Sequence, residues 1–556
     1  MKNFARFGFS RFCVVVLATL IFIVSCGGGK TEVSTPPQQT PPSSTRADGV
    51  FTYHNGVDRT GLNAAETILT PSNVNKDAFS KLCTYAVDGF VYTQPLYVSG
   101  VAIAGGRKDV VYIGTEHDSV YAFDAHCGQQ DPYWHVSFIN PANGVTTISQ
   151  DDVLSDNTGP EVGITGTPAI DPTNNVLYVV AATKENGRFF QRLHILDIQT
   201  GAEKPDSPVE IKASVAGTGD FTDGNGHVVF SPQWQNQRPA LLLADHTLYI
   251  GWGSHHINRP WHGWLLAYDT KTLQQVGAFN TTPNGWGGGI WQSGNGPAYD
   301  GAGGIFVQSG QGTYTADQGG PDFGDSIFRL TRNDLLRSDY FTPYDQAWRL
   351  EHDADTGTAG PVLLPDQPGP HPKLLLSVSK DGNIYLVDRE NMGGYNPGND
   401  TAVQVVRNAV GIVPNVTSLA GNGAGYNTPV YWNGHVYFCG RNDVAKSFSL
   451  QNGTLSTQPT SQAADVADVR GGGMSVSANG NNDAILWVLQ GRSESSVLFA
   501  YDATDLTHRL YSSDDSATRD HLGAAASKFA VPTVYGGNVY AAGKNYVAVF
   551  GLSARS

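Results

Sequence analysis

Apolar strands and polar turns alternate along this chain in a unit that returns about once every 60–70 residues. Each unit opens with Pro and apolar residues, continues through a turn into an apolar strand that often carries Tyr, and ends in a second strand with Asp just beyond it. Runs of β-branched and aromatic residues bounded by Gly, Asn, Asp and Pro predict antiparallel strands and their turns. The openings are Gln94-Pro95-Leu96, Thr167-Pro168-Ala169, Arg238-Pro239-Ala240, Gly296-Pro297-Ala298, Gly360-Pro361-Val362, Thr428-Pro429-Val430, Val531-Pro532-Thr533 and, without the Pro, Met474-Ser475-Val476.

This repeat predicts an all-β fold, an eight-bladed β-propeller of four-stranded antiparallel blades. One such sheet cannot bury both of its faces, whereas blades stacked around an axis bury them against their neighbours. The last unit runs out at Leu552 without an outer strand, and residues 79–87, ahead of the first opening, have the missing pattern. We therefore expect the N- and C-terminal segments to pair and close the ring, which removes a free sheet edge. A string of β-sandwiches or a solenoid is the alternative.

Residues 1–26 have the features of a targeting segment. Lys2, Arg6 and Arg11 precede an apolar run, residues 12–24, that is too short and too early for an ordinary membrane span. The run ends at Cys26 in a sequence that resembles a bacterial lipobox, in which the Cys becomes the lipidated first residue of the mature protein. An ordinary cleaved signal peptide and an uncleaved anchor are the alternatives.

The residues behind Cys26 predict the domain organisation. Residues 27–49 are rich in Gly, Thr, Pro and Ser and lack an apolar pattern, which is typical of a flexible tether. Residues 50–556 then form a single propeller domain. By resemblance to lipoprotein sorting, Gly27 is not the Asp that retains lipoproteins at an inner membrane. This favours an anchor in the outer membrane of a Gram-negative cell, facing the periplasm or the cell surface.

Three of the five cysteines, Cys83, Cys127 and Cys439, lie in the predicted domain, each on a different unit. An odd number cannot pair completely within one chain, and their spacing offers no disulfide framework. The simplest interpretation is three structural thiols, with a Cys83–Cys127 disulfide as the alternative.

The chain is acidic, with 35 Lys and Arg against 50 Asp and Glu and a formal net charge of −15. No stripe or cluster of basic residues is present, which argues against nucleic acid or an anionic lipid surface as a partner. Charged residues make up 15% of the chain and aromatic residues 10%. This balance is typical of a large extracytoplasmic β protein with a sizeable core.

The repeat units resemble those of the pyrroloquinoline-quinone (PQQ)-like propeller family over about residues 50–553. The resemblance rests on the phrases that begin at Glu116, Gly163 and Ser379 and end at Asp124, Asp171 and Asp388. It implies the fold of the eight-bladed quinoprotein alcohol dehydrogenases and of the lipid-anchored propeller of the outer-membrane protein assembly machinery. Fold alone does not imply function.

The resemblance to quinoprotein dehydrogenases implies further features of the site. They stack the quinone between a vicinal Cys–Cys disulfide and a Trp floor, hold calcium with a Glu, an Asn and often an Asp, and use an Asp as general base. This chain has no adjacent cysteines. No quinone or calcium ligand of the family carries over by position, so PQQ with calcium is expected only under the alternative that the protein is a dehydrogenase.

The loops that enter and leave the inner strands of a propeller collect at one end of the axis, where ligand sites are expected. The candidates there are Glu116, His117, Asp118, His255, His256, His262, Trp286, Trp291, Lys380, Arg441 and Arg470. Histidines on one loop could converge on zinc or copper. Adjacent residues of an extended segment point to opposite sides, however, so we favour a hydrogen-bonded aromatic loop and predict no metal site.

The remaining candidates have two interpretations each. Trp286 and Trp291 could stack on a planar cofactor or a sugar, although packing between blades is favoured. Lys380 and Arg441 occupy matching hairpin positions and are interpreted as members of turn-capping charge pairs. Arg470 could hold an anion or lie in a solvated loop. The acidic loops 151–156 and 353–355 are interpreted as surface loops.

The leading hypothesis is a lipid-tethered propeller that acts as a binding or scaffolding module in the cell envelope. Its partner would be an envelope protein, a small molecule or a glycan. The first alternative is a PQQ-dependent dehydrogenase of an alcohol or sugar, with Glu116 or Asp118 as base and Trp291 as stacking floor. The second alternative is a glycan-binding propeller that uses the same tryptophans.

Overall fold

The computed structural model describes residues 48–255, 260–411, 423, 425–467, 471–491, 495–524 and 529–553. The targeting segment, most of the tether, Cys26, His256 and Arg470 lie outside the described residues. Within the described part, no helix combines the length and the apolar character needed to cross a membrane.

The regular secondary structure of the described chain is almost entirely β-strand. It forms nine hydrogen-bonded sheets, eight of which contain four or more strands. We number these eight in the order of their opening phrases. Sheet 1 contains Gly49–Val50, Leu96–Ile103, Gly106–Gly114, Ser119–Asp124 and Trp134–Ser137. Sheet 2 contains Val145–Ser149, Glu161–Val162, Ala169–Asp171, Val176–Glu185, Arg188–Asp197 and Val209–Glu210. Sheet 3 contains Gln235–Asn236, Leu242–Ala244, Thr247–Ser254, Trp264–Asp269 and Gln275–Asn280.

The other sheets continue the series. Sheet 4 contains Ala298–Tyr299, Gly304–Gln308, Ile327–Thr331 and Arg337–Phe341. Sheet 5 contains Val362–Leu363, Leu374–Val378, Ile384–Asp388 and Gln404–Val406. Sheet 6 contains Val430–Trp432, His435–Cys439, Val444–Gln451, Thr454–Leu455 and Ser461–Val466. Sheet 7 contains Leu62–Asn63, Gly472–Asn479, Asn482–Gly491, Ser496–Asp502 and Arg509–Ser512. Sheet 8 contains Phe79–Phe90, Thr533–Tyr535, Asn538–Ala542 and Lys544–Leu552.

Short elements connect the sheets. A separate hairpin pairs Ser214–Ala216 with His227–Val229. The α-helices are Gln150–Val153, Gln346–His352 and Ala517–Asp520, and the 3-10 helices are Pro141–Asn143, Gln292–Gly294, Ala316–Gln318 and Ser513–Ser516.

The core lies between neighbouring sheets. The middle strands are apolar at nearly every position because both of their faces are covered, as in Leu374–Val378, where every residue is buried. Separate apolar clusters join sheets 2 and 3, 3 and 4, 4 and 5, 5 and 6, 6 and 7, and 7 and 8. One more cluster joins sheet 8 to sheets 1 and 2. The packing therefore passes from each sheet to the next and returns to the first.

Sheet 8 combines the two ends of the domain, as predicted. Strand Phe79–Phe90 pairs antiparallel with Lys544–Leu552, so that Phe79 faces Leu552 and Tyr85 faces Val547. The prediction that residues 79–87 supply the missing outer strand is confirmed.

The cysteine prediction was wrong. Cys83 and Cys127 form a disulfide with an S–S distance of 2.04 Å, and only Cys439, which is buried, is free among the described cysteines. Cys83 lies on the strand that closes sheet 8, and Cys127 follows the third long strand of sheet 1. Ring closure places these two sheets side by side, a proximity that spacing along the chain does not reveal.

Residues 48–66 make a contact that the sequence did not predict. This N-terminal segment hydrogen-bonds the first strand, or the residue beside it, in each of the eight sheets, in chain order. The bonds are Ser99 N to Asp48 O, Ile170 N to Phe51 O, Thr52 Oγ1 to Leu241 O, Tyr299 N to Val57 O, Leu363 N to Asp58 O, Tyr431 N to Thr60 O, Val476 N to Gly61 O and Asn63 Nδ2 to Val534 O. One short segment therefore touches every sheet.

Arg59 lies at the centre of this segment and is completely buried. Its Nε donates to Pro297 O at 3.0 Å and its Nη2 to Leu241 O at 3.2 Å, so it reaches two sheets. Its Nη1 donates to Thr52 Oγ1 at 2.7 Å and to Tyr53 O at 2.9 Å, which holds the segment's own backbone.

Candidate functional site

Five loops contribute to the candidate site. Three of them lead into strands Leu242–Ala244 of sheet 3, Ala298–Tyr299 of sheet 4 and Val362–Leu363 of sheet 5. The other two follow strands Thr247–Ser254 of sheet 3 and Leu374–Val378 of sheet 5. We call the residues that they bring together the Trp291 cluster. Its members are Arg238, His255, Trp291, Asp355 and Lys380. Three of them, His255, Trp291 and Lys380, were predicted from sequence, and two, Arg238 and Asp355, were not.

A glycine brings an indole and a carboxylate together at this site. Trp291 is 8% exposed and donates from Nε1 to Ser254 O at 3.0 Å. A Cβ at Gly310 would lie 2.5 Å from Cζ3 of Trp291 and 2.5 Å from Oδ1 of Asp355. Both groups therefore pack against the same side of Gly310, which has room for them only because it lacks a side chain.

Lys380 pairs with two carboxylates, the half-buried Asp353 and the buried Asp355. Its Nζ lies 2.7 Å from Asp353 Oδ2 and 3.2 Å from Asp355 Oδ2, while Asp355 Oδ1 accepts the Gln311 N–H at 2.8 Å. Burial, together with the charge of Asp355, raises the pKa of Asp353 to about 7, although Lys380 opposes the rise. Burial alone would lower the pKa of Lys380, but the two carboxylates raise it. Lys380 therefore stays charged while Asp353 titrates near neutral pH.

Two sequence interpretations fail here. Lys380 does not cap its own turn with Asp381, because its ammonium turns towards Asp353 and Asp355. Loop 353–355 is not a surface loop, since Asp355 is 7% exposed. The sequence does not show that the loop ahead of sheet 5 folds inward over the hairpin that carries Lys380.

A second layer of charge supports the cluster. Arg349 is completely buried and donates to Asp345 Oδ1 at 2.7 Å and to Asp381 Oδ2 at 2.9 Å. Asp325 is also completely buried, and its Oδ2 has no hydrogen-bond partner. Burial and the charge of Asp355 raise the pKa of Asp325 to about 8. Asp325 is therefore largely protonated at neutral pH.

Arg238 and His255 bring unpartnered donors to the cluster. The Nε atom of Arg238 is buried without a partner, and its guanidinium lies over the ring of Phe529 at 4.4 Å from the centroid. His255 is 4% exposed, and neither ring nitrogen has a partner. Burial, and then the charge of Arg238, lower the pKa of His255 to about 3, so the imidazole is neutral.

The other predicted aromatic loop residues have structural roles. His262 is 1% exposed, with Nδ1 at 2.9 Å from Thr282 Oγ1 and Nε2 at 2.7 Å from Asp220 O. Trp286 meets Trp261 edge to face, with ring centroids 5.9 Å apart. No group of three or more His, Cys, Asp and Glu residues in the described chain is arranged to hold a metal ion.

The turn between the second and third long strands of sheet 1 carries the predicted base candidates. Glu116 and Asp118 are 1% and 0% exposed, and they accept backbone N–H groups of Gly163 at 2.7 Å and Ala182 at 3.2 Å. Burial raises the pKa of Glu116 to about 8 and that of Asp118 well above its usual range. His117 lies at the surface and pairs with Glu161 at 3.0 Å. In this conformation neither buried carboxyl is open to a substrate.

The turn that contains Arg441 also carries Asp443, and the interpretation of Arg441 as a member of a charge pair stays a prediction. Asp443 pairs with Lys446 at 2.5 Å and accepts the Gly411 N–H at 2.8 Å, so its carboxylate is already engaged. Arg441 lies in the turn between the second and third strands of sheet 6, outside the contacts of the Trp291 cluster described above.

Comparison with known proteins found similar solved structures but no matching family model or curated sequence. No protein-family model matches the chain. No curated protein sequence matches it either. Among solved structures, the chain is similar to the quinohemoprotein alcohol dehydrogenase ADHIIG from Pseudomonas putida HK5, with 14% identity and a TM-score of 0.60, over 91% of this chain and 81% of that one.

Two further structures are similar. The quinohemoprotein alcohol dehydrogenase from Comamonas testosteroni is 15% identical with a TM-score of 0.55, over 91% of this chain and 81% of that one. BamB from Moraxella catarrhalis is 13% identical with a TM-score of 0.47, over 85% of this chain and 99% of that one. At such identities the likeness concerns the fold alone. The chain therefore has a nearly all-β fold of the propeller type found in quinoprotein alcohol dehydrogenases.

Proposed function

We propose that this protein is a binding module of the cell envelope, an eight-bladed propeller that holds a small molecule in the Trp291 cluster. The observation that carries the proposal is the approach of Trp291 and Asp355 to the same side of Gly310, beside the Lys380 ion pairs. A lipid on Cys26 would tether the module to the outer membrane, as the sequence predicts.

The ring is supported by two independent features. The apolar clusters run from each sheet to the next and back from sheet 8 to sheet 1. The N-terminal segment 48–66 meets the eight sheets in chain order, which requires their first strands to surround it. In that arrangement each opening begins a blade of four antiparallel strands, and Phe79–Phe90 supplies the fourth strand of blade 8. The extra short strands lie in blades 1, 2, 3, 6 and 7.

A small-molecule site is supported by buried polar atoms that have no hydrogen-bond partner. Buried polar groups are nearly always hydrogen-bonded, so a concentration of orphaned ones points to a missing partner. Around the Trp291 cluster, buried atoms of Asn236, Gln237, Arg238, His255 and Asp325 have no hydrogen-bond partner. An aromatic side chain amid convergent polar groups is the usual composition of a ligand pocket.

Gly310→Ala tests the proposal at a single atom. The new Cβ would lie 2.5 Å from both Trp291 and Asp355, so the pair must separate. Gly106→Ala is the matched control, because nothing lies within 4 Å of its Cβ position. Native mass spectrometry of mature protein purified from its own cells should detect a small molecule on the wild type and the control, and little on Gly310→Ala. Equal occupancy in the three proteins, or none in any, would contradict the proposal.

A PQQ-dependent dehydrogenase is the second candidate, favoured by one observation. Trp291 supplies a stacking ring and Asp355 a carboxylate next to it, although sequence reasoning had assigned the base to Glu116 or Asp118. The fit is incomplete, because the described residues hold no set of metal ligands and the chain has no adjacent cysteines. Protein incubated with PQQ and Ca²⁺ should gain a bound-quinone absorption band and reduce dyes with alcohols or sugars, and Asp355→Asn should abolish the reduction. Absence of both signals removes this candidate.

A further inference from the structure

Arg238 is a guanidinium without an acceptor. It lies directly ahead of Pro239 at the opening of sheet 3, and its side chain is half-buried. Its planar group stacks on Phe529, and its Nε is buried without a partner. Within the described chain, no carboxylate forms an ion pair with it and no oxygen accepts a bond from its side chain. A guanidinium has five N–H donors, and leaving such donors unpaired away from water costs free energy.

His255 adds a donor at the same place. A neutral imidazole carries one N–H and one lone pair, and in His255 neither nitrogen has a partner. Segment Gln235–Asn236 pairs with Gly253 and Ser254 in sheet 3, and Arg238 and His255 follow these two paired segments. The charge of Arg238 also acts on the imidazole. The Ser254 carbonyl, next to His255 in the chain, accepts the Trp291 indole N–H at 3.0 Å, which ties this pair to the Trp291 cluster.

Asp355 forms no ion pair with Arg238 in the described chain. Asp355 attracts Arg238 electrostatically. Its Oδ1, however, accepts the Gln311 N–H and its Oδ2 faces Lys380. Lys380 also faces Asp353, so the intramolecular charges pair with one another and leave the guanidinium available.

We propose that Arg238 and His255 bind the carboxylate or phosphate group of a small molecule whose apolar body packs against Phe529 and Trp291. A guanidinium recognises both anions through two parallel N–H···O bonds, and the imidazole N–H supplies a third donor. The inference rests on the proposed small-molecule function and specifies the chemical class of its ligand.

Titration calorimetry with paired aromatic probes tests the inference. Benzoate and phenyl phosphate distinguish a carboxylate ligand from a phosphate ligand, benzamide is the neutral isostere of benzoate, and inorganic phosphate lacks the apolar body. We expect one aromatic anion to bind the wild-type protein at least about tenfold more tightly than benzamide does, and Arg238→Met to lose about 10- to 100-fold in that affinity. Inorganic phosphate should bind more weakly than phenyl phosphate, because it makes no contact with the aromatic rings.

Arg337→Met is the matched control, since Arg337 also stacks on an aromatic ring, 4.1 Å from the centroid of Phe323, but is exposed and lies outside the cluster. It should leave anion affinity unchanged. Arg238→Met should fold, with a melting temperature no lower than that of the wild type in the absence of anions, because it removes an unpaired guanidinium.

Three results would overturn the inference: benzamide binds as tightly as the anions, Arg238→Met keeps the anion affinity, or no probe binds. In the first two cases a small molecule still binds, and native mass spectrometry of Gly310→Ala decides separately whether the proposed function survives. Absence of all probe binding, together with no small molecule on the native protein, removes both.

Discussion

Arg59→Met should loosen the whole ring, although the side chain lies outside every sheet. Its guanidinium makes four hydrogen bonds from a fully buried position, two of them to carbonyls of sheets 3 and 4. Methionine fills a similar volume but donates nothing, so Tyr53 O, Leu241 O and Pro297 O lose their guanidinium donor. Each buried carbonyl left without a donor costs about 1–3 kcal/mol, which offsets any gain from removing the buried charge.

Urea unfolding followed by far-UV circular dichroism measures this effect. Arg107→Met is the control, because Arg107 is exposed and, among the described residues, its side chain donates only to Gly100 O at 2.7 Å. A surface substitution of that kind changes the free energy of unfolding by about 0.5 kcal/mol or less. If the two variants unfold at the same urea concentration, the N-terminal segment does not hold the sheets together and the reasoning is wrong.

Three further predictions follow from the buried groups. Reduction of Cys83–Cys127, which spans 44 residues, should lower the free energy of unfolding by about 4 kcal/mol, and peptide mapping without reductant should recover that linked pair. Burial raises the pKa of Glu116 from its ordinary value of 4.5 to about 8, so the folded state binds a proton that the unfolded state releases, and stability should fall as pH rises from about 4.5 to about 8. Glu116→Gln should flatten this slope in thermal melts, and an unchanged slope would exclude Glu116 as its source. Lys380→Met leaves Asp353 and Asp355 without their ammonium partner and should lower the free energy of unfolding by about 3–5 kcal/mol at pH 8. At pH 5.5, where Asp353 is protonated, the loss in urea unfolding should be smaller. A loss of stability that does not depend on pH would contradict the ion-pair geometry.

The closing strand was predictable because its signal is local. An apolar, alternating segment at residues 79–87 and a final unit one strand short leave few places for that segment to pair. The register that sets Phe79 opposite Leu552 then follows from burying Phe79 on the face shared with sheet 7.

The Trp291 cluster was only partly predictable. His255, Trp291 and Lys380 were found because aromatic and charged residues in loops of a propeller converge at one end. Arg238 was missed because it occupies the polar position of an opening phrase, and Asp355 because two acidic residues in a short loop are typical of a solvent-exposed segment. Their burial depends on how loops from different sheets fold over each other.

The sequence by itself determined the alternating strands, the repeating sheet unit and the pairing of the two ends, since hydrophobic period and turn residues act over a few neighbouring positions. Only the tertiary structure decided that Cys83 meets Cys127, that residues 48–66 touch every sheet, and that the Arg238 guanidinium stacks on Phe529. Each of these depends on residues from separate sheets, whose proximity is a property of the packed ring and leaves no mark on the local pattern.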